Sequence, residues 1–532
     1  MTLTLQSAAR ILDEHGLLDE IIDGRTWTMD AADVADSDRP FASITYDTRT
    51  VADGALLVCK GRFRPEYLDG LDERGLAAYV AETDLSERTA APGLIVTDAR
   101  KALSLLSAEF YGRPQDRLTV VGITGTKGKT TTAYLAHAIL NDYSDGHAAL
   151  FSSVDNCLDG RTYEESDLTT PESLDAFRMM RQAVGNGMRY LVMEVSSQAY
   201  KVHRVHGLTF DVGAFLNISP DHISPIEHPT FEDYLYCKRR LAYNARALVL
   251  NTACDHADLI RQDAARAGAA LAEFEVAPAQ GGAGVEDIPG VPAAEAPRAG
   301  RVTARIDGAD DAFRLTADGR DLGAFRLLIP GAFNVANAAA ATAIALQAGV
   351  PADDTAFRAI ERVRVPGRME VETDEASDTT VIVDYAHNHS SVVALLDHVD
   401  RRYGAAAPHI TLVTGAAGNK AIDRRQEIVE AAQRRIDRFV FTAEDTDTEP
   451  YLDICNDMLR HVTEPGVETA VVVDRVEAIR DALRDARSHP GRTDVVLVIG
   501  KGDERWIKDL NRHVPYEGDD CVVKRLLSEP LR

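Results

Sequence analysis

The chain has 532 residues, more than one hydrophobic core ordinarily organises, so about three domains are expected. Its 45% hydrophobic and 27% charged residues describe a globular protein and exclude a disordered or fibrous one. With 84 acidic against 58 basic residues the net charge is −26, which excludes wholesale nucleic-acid binding while leaving room for a local basic pocket.

Residues 1–116 read as a first unit. SAARILDEHGLL carries apolar residues at helical spacing, and the runs FASITY, GALLVCKG, AAYVAE and GLIVTD read as short strands. Between them, YDTRTVADG is a polar turn leading into a strand and carries no chemistry by itself. RPQDR at 113–117 is a polar, proline-containing break. In the second unit, 117–363, the strand-like runs YLVMEV, VGAFLNI and ALVLNT alternate with helical patterns, which predicts a parallel sheet with crossover helices. Residues 274–300, rich in Ala, Gly and Pro, are expected to form a surface insertion. The Ala-rich helix expected from Asn334 is apolar enough to be buried. A third unit, 364–532, alternates again, from TTVIVDYAH through HITLVTGAAG, RFVFTAE and ETAVVV to DVVLVIGKGDE, with helices expected from about 390, from about 423, after RFVFTAE and over DRVEAIRDALRDA. The fold class is α/β in three domains: an N-terminal α/β domain, a central P-loop-type parallel-sheet domain and a C-terminal Rossmann-like domain.

Chemistry is spelled out in residues 118–134, LTVVGITGTKGKTTTAY. A β-branched run, glycines, Lys129 and Thr130, then a helical pattern give a strand, a phosphate-cradling loop and a helix N-terminus. Backbone N–H groups from Gly125 to Lys129 can converge on phosphate oxygens, Lys129 can neutralise them, and the Thr130 hydroxyl can ligand magnesium. The general loop would place its first glycine at position 123, where Ile123 stands, so TGTKGKT is a variant. Glu194 closes YLVMEV, a strand-end position suited to holding magnesium near a phosphate loop. Residues 217–242 add Asp221, His222 and Lys238. On spacing alone, His222 is polar surface as readily as a ligand, and Lys238 with Arg239 and Arg240 reads as a solvated basic patch.

Six cysteines (Cys59, Cys157, Cys237, Cys254, Cys455, Cys521) lack CxxC spacing, which fits free thiols in a reducing cytoplasm better than disulfides or zinc. No run of about 18 apolar residues occurs and no leader pattern opens the chain, so membrane insertion is not expected.

Taken together, TGTKGKTTTAY, TTPESLD, MEVSSQA, FLNISPDH, YLYCKRRL, GAFNVANAAAA, VPGRME, VDYAH and VIGKGDE stand in the order and spacing of the Mur ligases, and the chain resembles that family over its whole length. DTR before LLVCKG, TTPE and GKGDE resemble the type that adds the third residue of the peptide. The resemblance implies a monomeric cytoplasmic ligase of peptidoglycan precursor synthesis. It would join a diamino acid to UDP-N-acetylmuramoyl-L-alanyl-D-glutamate through an acyl phosphate made from ATP, with successive domains for the UDP substrate, ATP and the amino acid.

For ATP the resemblance implies Gly125, Thr126, Lys127, Gly128, Lys129, Thr130, Thr131, Asn334 and Asn337, with Arg368 and Asp384 from the third domain. It implies two magnesium sites from Thr130, Glu194, His222 and Lys238, the last as a carbamate, since an ammonium cannot ligand magnesium whereas a carbamate offers two anionic oxygens. Lys129, Lys238 and His222 form the implied catalytic set. Thr169, Thr170, Ser196 and Arg204 match positions that hold the muramoyl dipeptide. Asp47, Thr48 and Arg49 lie where the uridine end is received, with Thr48 in place of the family's usual serine.

The family's specificity loop reads DNPR in enzymes using meso-diaminopimelate, where the arginine pairs with the second carboxylate. FTAEDTDTEP places Glu444, Asp445, Thr446 and Asp447 there, so acids face the distal group. They would repel a carboxylate and attract an ammonium. L-lysine is therefore expected, with L-ornithine close behind because one methylene is worth only about 1–3 kcal/mol, and diaminopimelate as the remaining alternative. The resemblance also places Arg425 at the α-carboxylate and Gly500 and Glu504 beside the amines. The loop lacks the family's proline, and His389 stands where a proline commonly follows DYAHN. A folylpolyglutamate-synthetase-like ligase stays open, opposed by DTR and TTPE. A non-catalytic nucleotide-binding scaffold is opposed by retention of Lys129, Glu194, His222, Lys238, Arg368 and Asp384.

Overall fold

The computed structural model describes residues 3–224, 227–277, 298–308, 311–419, 422–489 and 491–529. Each of the three main sheets has its own core. The first helix, Leu5–Glu14, opens on a capping box in which Thr4 and Ser7 exchange hydrogen bonds, and it buries Leu5, Ala8, Ala9 and Leu12. The first sheet runs in the order Thr26–Thr28, Leu18–Asp23, Gly93–Val96, Leu76–Ala81, Ala55–Val58, Ser43–Thr45. Its last four strands are mutually parallel, so their carboxyl ends share one edge, where open α/β sheets bind ligands.

The central sheet orders its strands Tyr163–Glu165, Asp155–Cys157, Ala148–Phe151, Tyr190–Glu194, Thr119–Thr124, Phe210–Phe215, Ala245–Asn251, Ala270–Ala277, Arg298–Ile306, Ala312–Ala317 and Arg320–Arg326. The seven strands from Ala148 to Ile306 in that order are parallel, and antiparallel hairpins finish both edges. The Ala-rich helix spans Ala332–Gln347, two residues earlier than expected, because Gly331 (φ 115°) turns the chain at its N-cap. Fully buried Ala338, Ala339, Ala340 and Ala341 let it lie close against the helix Lys129–Tyr143.

The expected insertion at 274–300 is corrected at both ends. Ala270–Ala277 and Arg298–Ile306 are neighbouring parallel strands, with Phe274 opposite Val302 and both buried in the core. The small-residue composition of the whole window hid the alternating strand patterns at its edges. Residues 278–297 lie outside the described part.

The third sheet runs Glu370–Asp374, Thr379–Asp384, Asp494–Ile499, His409–Thr414, Arg438–Phe441, Glu468–Val471, antiparallel only at the first pair. A terminal hairpin, Trp506–Asp509 with Arg512–Pro515, was not expected from the sequence. Its turn uses Leu510 and Asn511, both at positive φ, without the glycine that usually announces such a turn. The helix Asp519–Ser528 follows. Five cysteines are buried and Cys521 is exposed, all as free thiols. Among the described residues no helix is long and apolar enough to cross a membrane.

Candidate active site where the sheets meet

The strand Thr119–Thr124 delivers the chain into Gly125–Gly128, and the helix Lys129–Tyr143 starts there. Ile123 is buried within the strand, opposite Glu194 of the neighbouring strand, so the loop turns later than the general form does. Gly128 (φ 81°) has no room for a side chain: a Cβ would lie 2.4 Å from Asn337 Oδ1. Asn337 Nδ2 in turn donates to Asn334 Oδ1 at 3.0 Å, which ties the Ala-rich helix to the loop.

Two lysines converge on one backbone oxygen. Lys129 Nζ donates to the Gly125 carbonyl at 3.0 Å and Lys238 Nζ donates to the same oxygen at 2.8 Å. Among the described residues neither has a carboxylate within ion-pair distance. Burial, and then Lys129, push the Lys238 ammonium well below its ordinary range, and burial also lowers Lys129. Lys238 is 2% exposed, so the solvated-patch reading of KRR is wrong for it. Tyr234 and Leu235 on the same helix, Phe231–Arg239, carry it inward, while Arg239 pairs with Asp263.

Glu194 is 1% exposed and accepts Ser153 N–H at 2.7 Å, without a cationic partner among the described residues. Ser153 Oγ lies 3.0 Å from Thr130 Oγ1, so these oxygen donors meet at one corner. A buried, unpaired carboxylate beside a hydroxyl is a donor set that fits a hard dication such as magnesium. His222 (φ 58°) lies on the same wall, half exposed, with Nδ1 3.4 Å from Glu227 Oε2.

A chamber of about 980 Å³ joins this corner to the third sheet. Thr126, Lys127, Gly128, Lys129, Thr130, Thr131, Thr169, Glu194, His222, Asn334 and Asn337 line it from the central unit. Arg368, Asp384, Glu444, Asp445, Gly500 and Glu504 line it from the third. Arg368 stacks over Tyr385 at 4.2 Å, and burial raises the Asp384 carboxyl, which accepts the N–H groups of Met369 and Ala386. Asp221, a candidate given no role by the sequence, ties the two units together. It pairs with Lys127 at 3.2 Å and Arg424 at 2.7 Å and accepts from Asn388 Nδ2 at 3.3 Å. Burial opposes its charge, yet these cations hold its carboxyl well below the usual range, while burial depresses Lys127 to about 8. Pairing across domains leaves no local sequence signal.

The acidic loop is less open than its composition suggests. Asp445 accepts from Lys501 Nζ at 3.0 Å, and Asp447 pairs with Lys508 Nζ at 2.5 Å. Lys501 also pairs with Glu504, which accepts the Tyr385 hydroxyl at 2.8 Å, and it lies under Trp506. Among the described residues Glu444, which faces the chamber, has no cationic partner at ion-pair distance, and burial raises its carboxyl to about 7. Gly500 (φ 109°) makes its place, since a Cβ there would come within 2.6 Å of Glu444 Oε2. Arg425 does not face the chamber: its guanidinium is buried in pairs with Glu449 and Asp457. The helix Asp423–Ala432 turns it inward, and the expectation that it meets an α-carboxylate is not supported by this placement.

Asp47 caps the short turn Thr48–Thr50 and pairs with the largely exposed Arg49, away from the chamber. Ser196 caps the helix Ser197–Lys201 and meets Thr170 Oγ1 at 3.3 Å, and Arg204 donates to the Thr170 carbonyl and to Glu172.

A phosphate loop facing an acid-lined third domain across one chamber defines an ATP-dependent amide-forming class. Family models agree: Mur ligase middle domain matches residues 123–345, and Mur ligase, glutamate ligase domain matches 367–502. The chain belongs to the Mur ligase family. It is 60% identical over 527 residues to the UDP-N-acetylmuramyl-tripeptide synthetase of Bifidobacterium longum, covering 99% of both chains. The UDP-N-acetylmuramoyl-L-alanyl-D-glutamate--L-lysine ligase of Enterococcus faecalis is 36% identical, with 99% of this chain and 100% of that one covered. A solved structure of a UDP-N-acetylmuramoyl-L-alanyl-D-glutamate--2,6-diaminopimelate ligase shares the fold, with TM-score 0.63 at 21% identity over 99% of both chains.

Proposed function

We propose that this enzyme couples ATP cleavage to addition of L-lysine to UDP-N-acetylmuramoyl-L-alanyl-D-glutamate. The observation that carries the reading is the chamber itself, with Lys129 at one end and Glu444 at the other, neither within ion-pair distance of an opposite charge among the described residues. The substrate's side-chain carboxylate attacks the γ-phosphorus of ATP, giving an acyl phosphate and ADP. Lys129 and the N–H groups of Gly125 to Lys129 offset the charge that builds on the phosphoryl oxygens. The lysine α-amine then attacks the acyl carbon, phosphate leaves, and an amide remains.

Thr130, Glu194, His222 and a carbamylated Lys238 would hold magnesium, which supplies charge neutralisation at the phosphates. Burial lowers the Lys238 ammonium well below its ordinary range, which favours the amine whose electron pair can take up CO2 with loss of one proton. Asn334 and Asn337 support the loop from behind, while Arg368 and Asp384 reach ATP from the third domain. Thr169, Thr170, Ser196 and Arg204 receive the muramoyl peptide, and Asp47, Thr48 and Arg49 the uridine end. Glu444 meets the distal ammonium of lysine. Lys508 already pairs with Asp447, and Lys501 is shared by Asp445 and Glu504, so the receptor's negative charge is reduced but not cancelled, and Glu444 is the loop acid left without an ion pair among the described residues.

A synthesis assay with lysine, ornithine and diaminopimelate tests this. Lysine is expected to be used best and ornithine about tenfold or more less well. Efficient use of diaminopimelate with none of lysine would refute the assignment.

A further inference from the structure

Lys60 belongs to no role assigned so far, yet it stands at a ligand-binding edge. It follows the strand Ala55–Val58, whose parallel neighbour Ser43–Thr45 is followed by Tyr46 and then Asp47. Both strands therefore release their chains at the same carboxyl edge, and Lys60 Nζ lies 4.1 Å over the Tyr46 ring. From there it crosses to the central unit and pairs with Glu172. Arg204 reaches the same carboxylate from the other side, at 2.8 Å through both Nε and Nη2. The three side chains are only 17–21% exposed.

Two cations thus share one carboxylate in a half-buried seam. The neighbouring acid, Asp175, is already engaged by the Tyr46 hydroxyl at 2.9 Å and by Arg178 at 3.3 Å. Burial opposes charge on Glu172, and Lys60 and Arg204 nevertheless keep its carboxyl below the ordinary range. The seam runs from Asp47, beside Tyr46, to Thr170, whose hydroxyl donates to the Glu194 carbonyl at 3.0 Å. It therefore spans the distance between the proposed uridine end and the reacting corner. An anionic substrate lying along it would meet positive charge in excess of what Glu172 cancels.

We propose that Lys60 and Arg204 form a two-cation seat for anionic oxygens of the UDP-linked substrate, with Glu172 occupying the seat in the free enzyme. The inference rests on the ligase reading above. The group received is either the diphosphate or the peptide carboxylate that is not activated; both offer the same oxygen chemistry. On binding, the substrate anion takes the place of Glu172 on the two cations, and no covalent step is involved.

Steady-state kinetics on the full-length enzyme tests the seat. Lys60→Met keeps the aliphatic stem over Tyr46 and removes the charge. It is expected to raise KM for the UDP-dipeptide about tenfold, in the range of a charge-assisted hydrogen bond, and to leave KM for ATP and lysine within about twofold. Lys60→Arg restores most of the loss. Glu172→Gln removes the competing carboxylate and keeps both cations, so KM for the UDP-dipeptide falls. Weaker competitive inhibition by UDP in Lys60→Met assigns the diphosphate; unchanged UDP inhibition with a raised substrate KM assigns the carboxylate. An unchanged substrate KM in Lys60→Met overturns the proposal, as does an equal rise in Lys60→Met and Glu172→Gln, which marks the pair as a structural latch. Wild-type synthesis of the tripeptide product tests the ligase reading separately.

Discussion

The two ends of the chamber handle buried charge in opposite ways. At the phosphate loop, Lys129 and Lys238 share the Gly125 carbonyl, and among the described residues no acid pairs with them, while Glu194 sits nearby without a cation at ion-pair distance. At the third sheet, Asp445 and Glu504 share Lys501 and Asp447 has Lys508, while Glu444, Asp384 and Asp503 face the chamber with no cation at ion-pair distance among the described residues. Uncompensated charge in low dielectric is costly, so it persists where something else arrives to meet it. The first end is incomplete in both signs, as a site for phosphates and a metal must be. The second keeps its acids in excess of its cations, as a site for an ammonium should.

Three experiments would break or sharpen this contrast. Lys238→Ala should have the largest effect, a loss of about 10³-fold or more in kcat, with partial recovery on adding short carboxylic acids that replace the carbamate oxygens. Turnover equal to wild type would remove Lys238 from the reacting corner. Next, Glu444→Gln should raise KM for lysine about 30-fold, comparable to a lost charge-assisted contact. The wild-type pH profile carries the sign: with its carboxyl raised to about 7, Glu444 is charged above that pH and neutral below it. Hence kcat/KM for lysine should fall as pH drops below about 7, by up to tenfold per unit, and Glu444→Gln should flatten that limb. A profile with the same slope in both enzymes would mean that another group binds the ammonium. The smallest effect is expected from Asp221→Asn, about a tenfold fall in kcat/KM for ATP. Arg424 of the third unit then loses its charged partner in the central unit while the reacting groups stay in place. A larger effect on lysine than on ATP would place the tie at the wrong end.

Much of this was legible in the chain because the signals are local. Runs such as YLVMEV and DVVLVI carry their own strand pattern, and TGTKGKT carries its own chemistry even with Ile123 in the first glycine's place. What escaped depends on partners far along the chain. Asp221 looks like a loop acid until Arg424 and Asn388, 203 and 167 residues later, close on it. EDTD looks like a patch of free acids until Lys501 and Lys508 return to it through the last strand and the terminal hairpin. Arg425 fits a family position by alignment, yet Glu449 and Asp457 decide where its guanidinium goes. Composition counts charges; only the fold shows which are already spoken for.

The distribution of thiols has a practical consequence. With Cys59, Cys157, Cys237, Cys254 and Cys455 shut inside the cores, a maleimide dye would attach at Cys521 alone, on the helix Asp519–Ser528 that rides with the third sheet. The native chain thus carries a single labelling handle on the unit that forms the far wall of the chamber. Domain motion during turnover could be followed optically without altering any residue that binds or reacts.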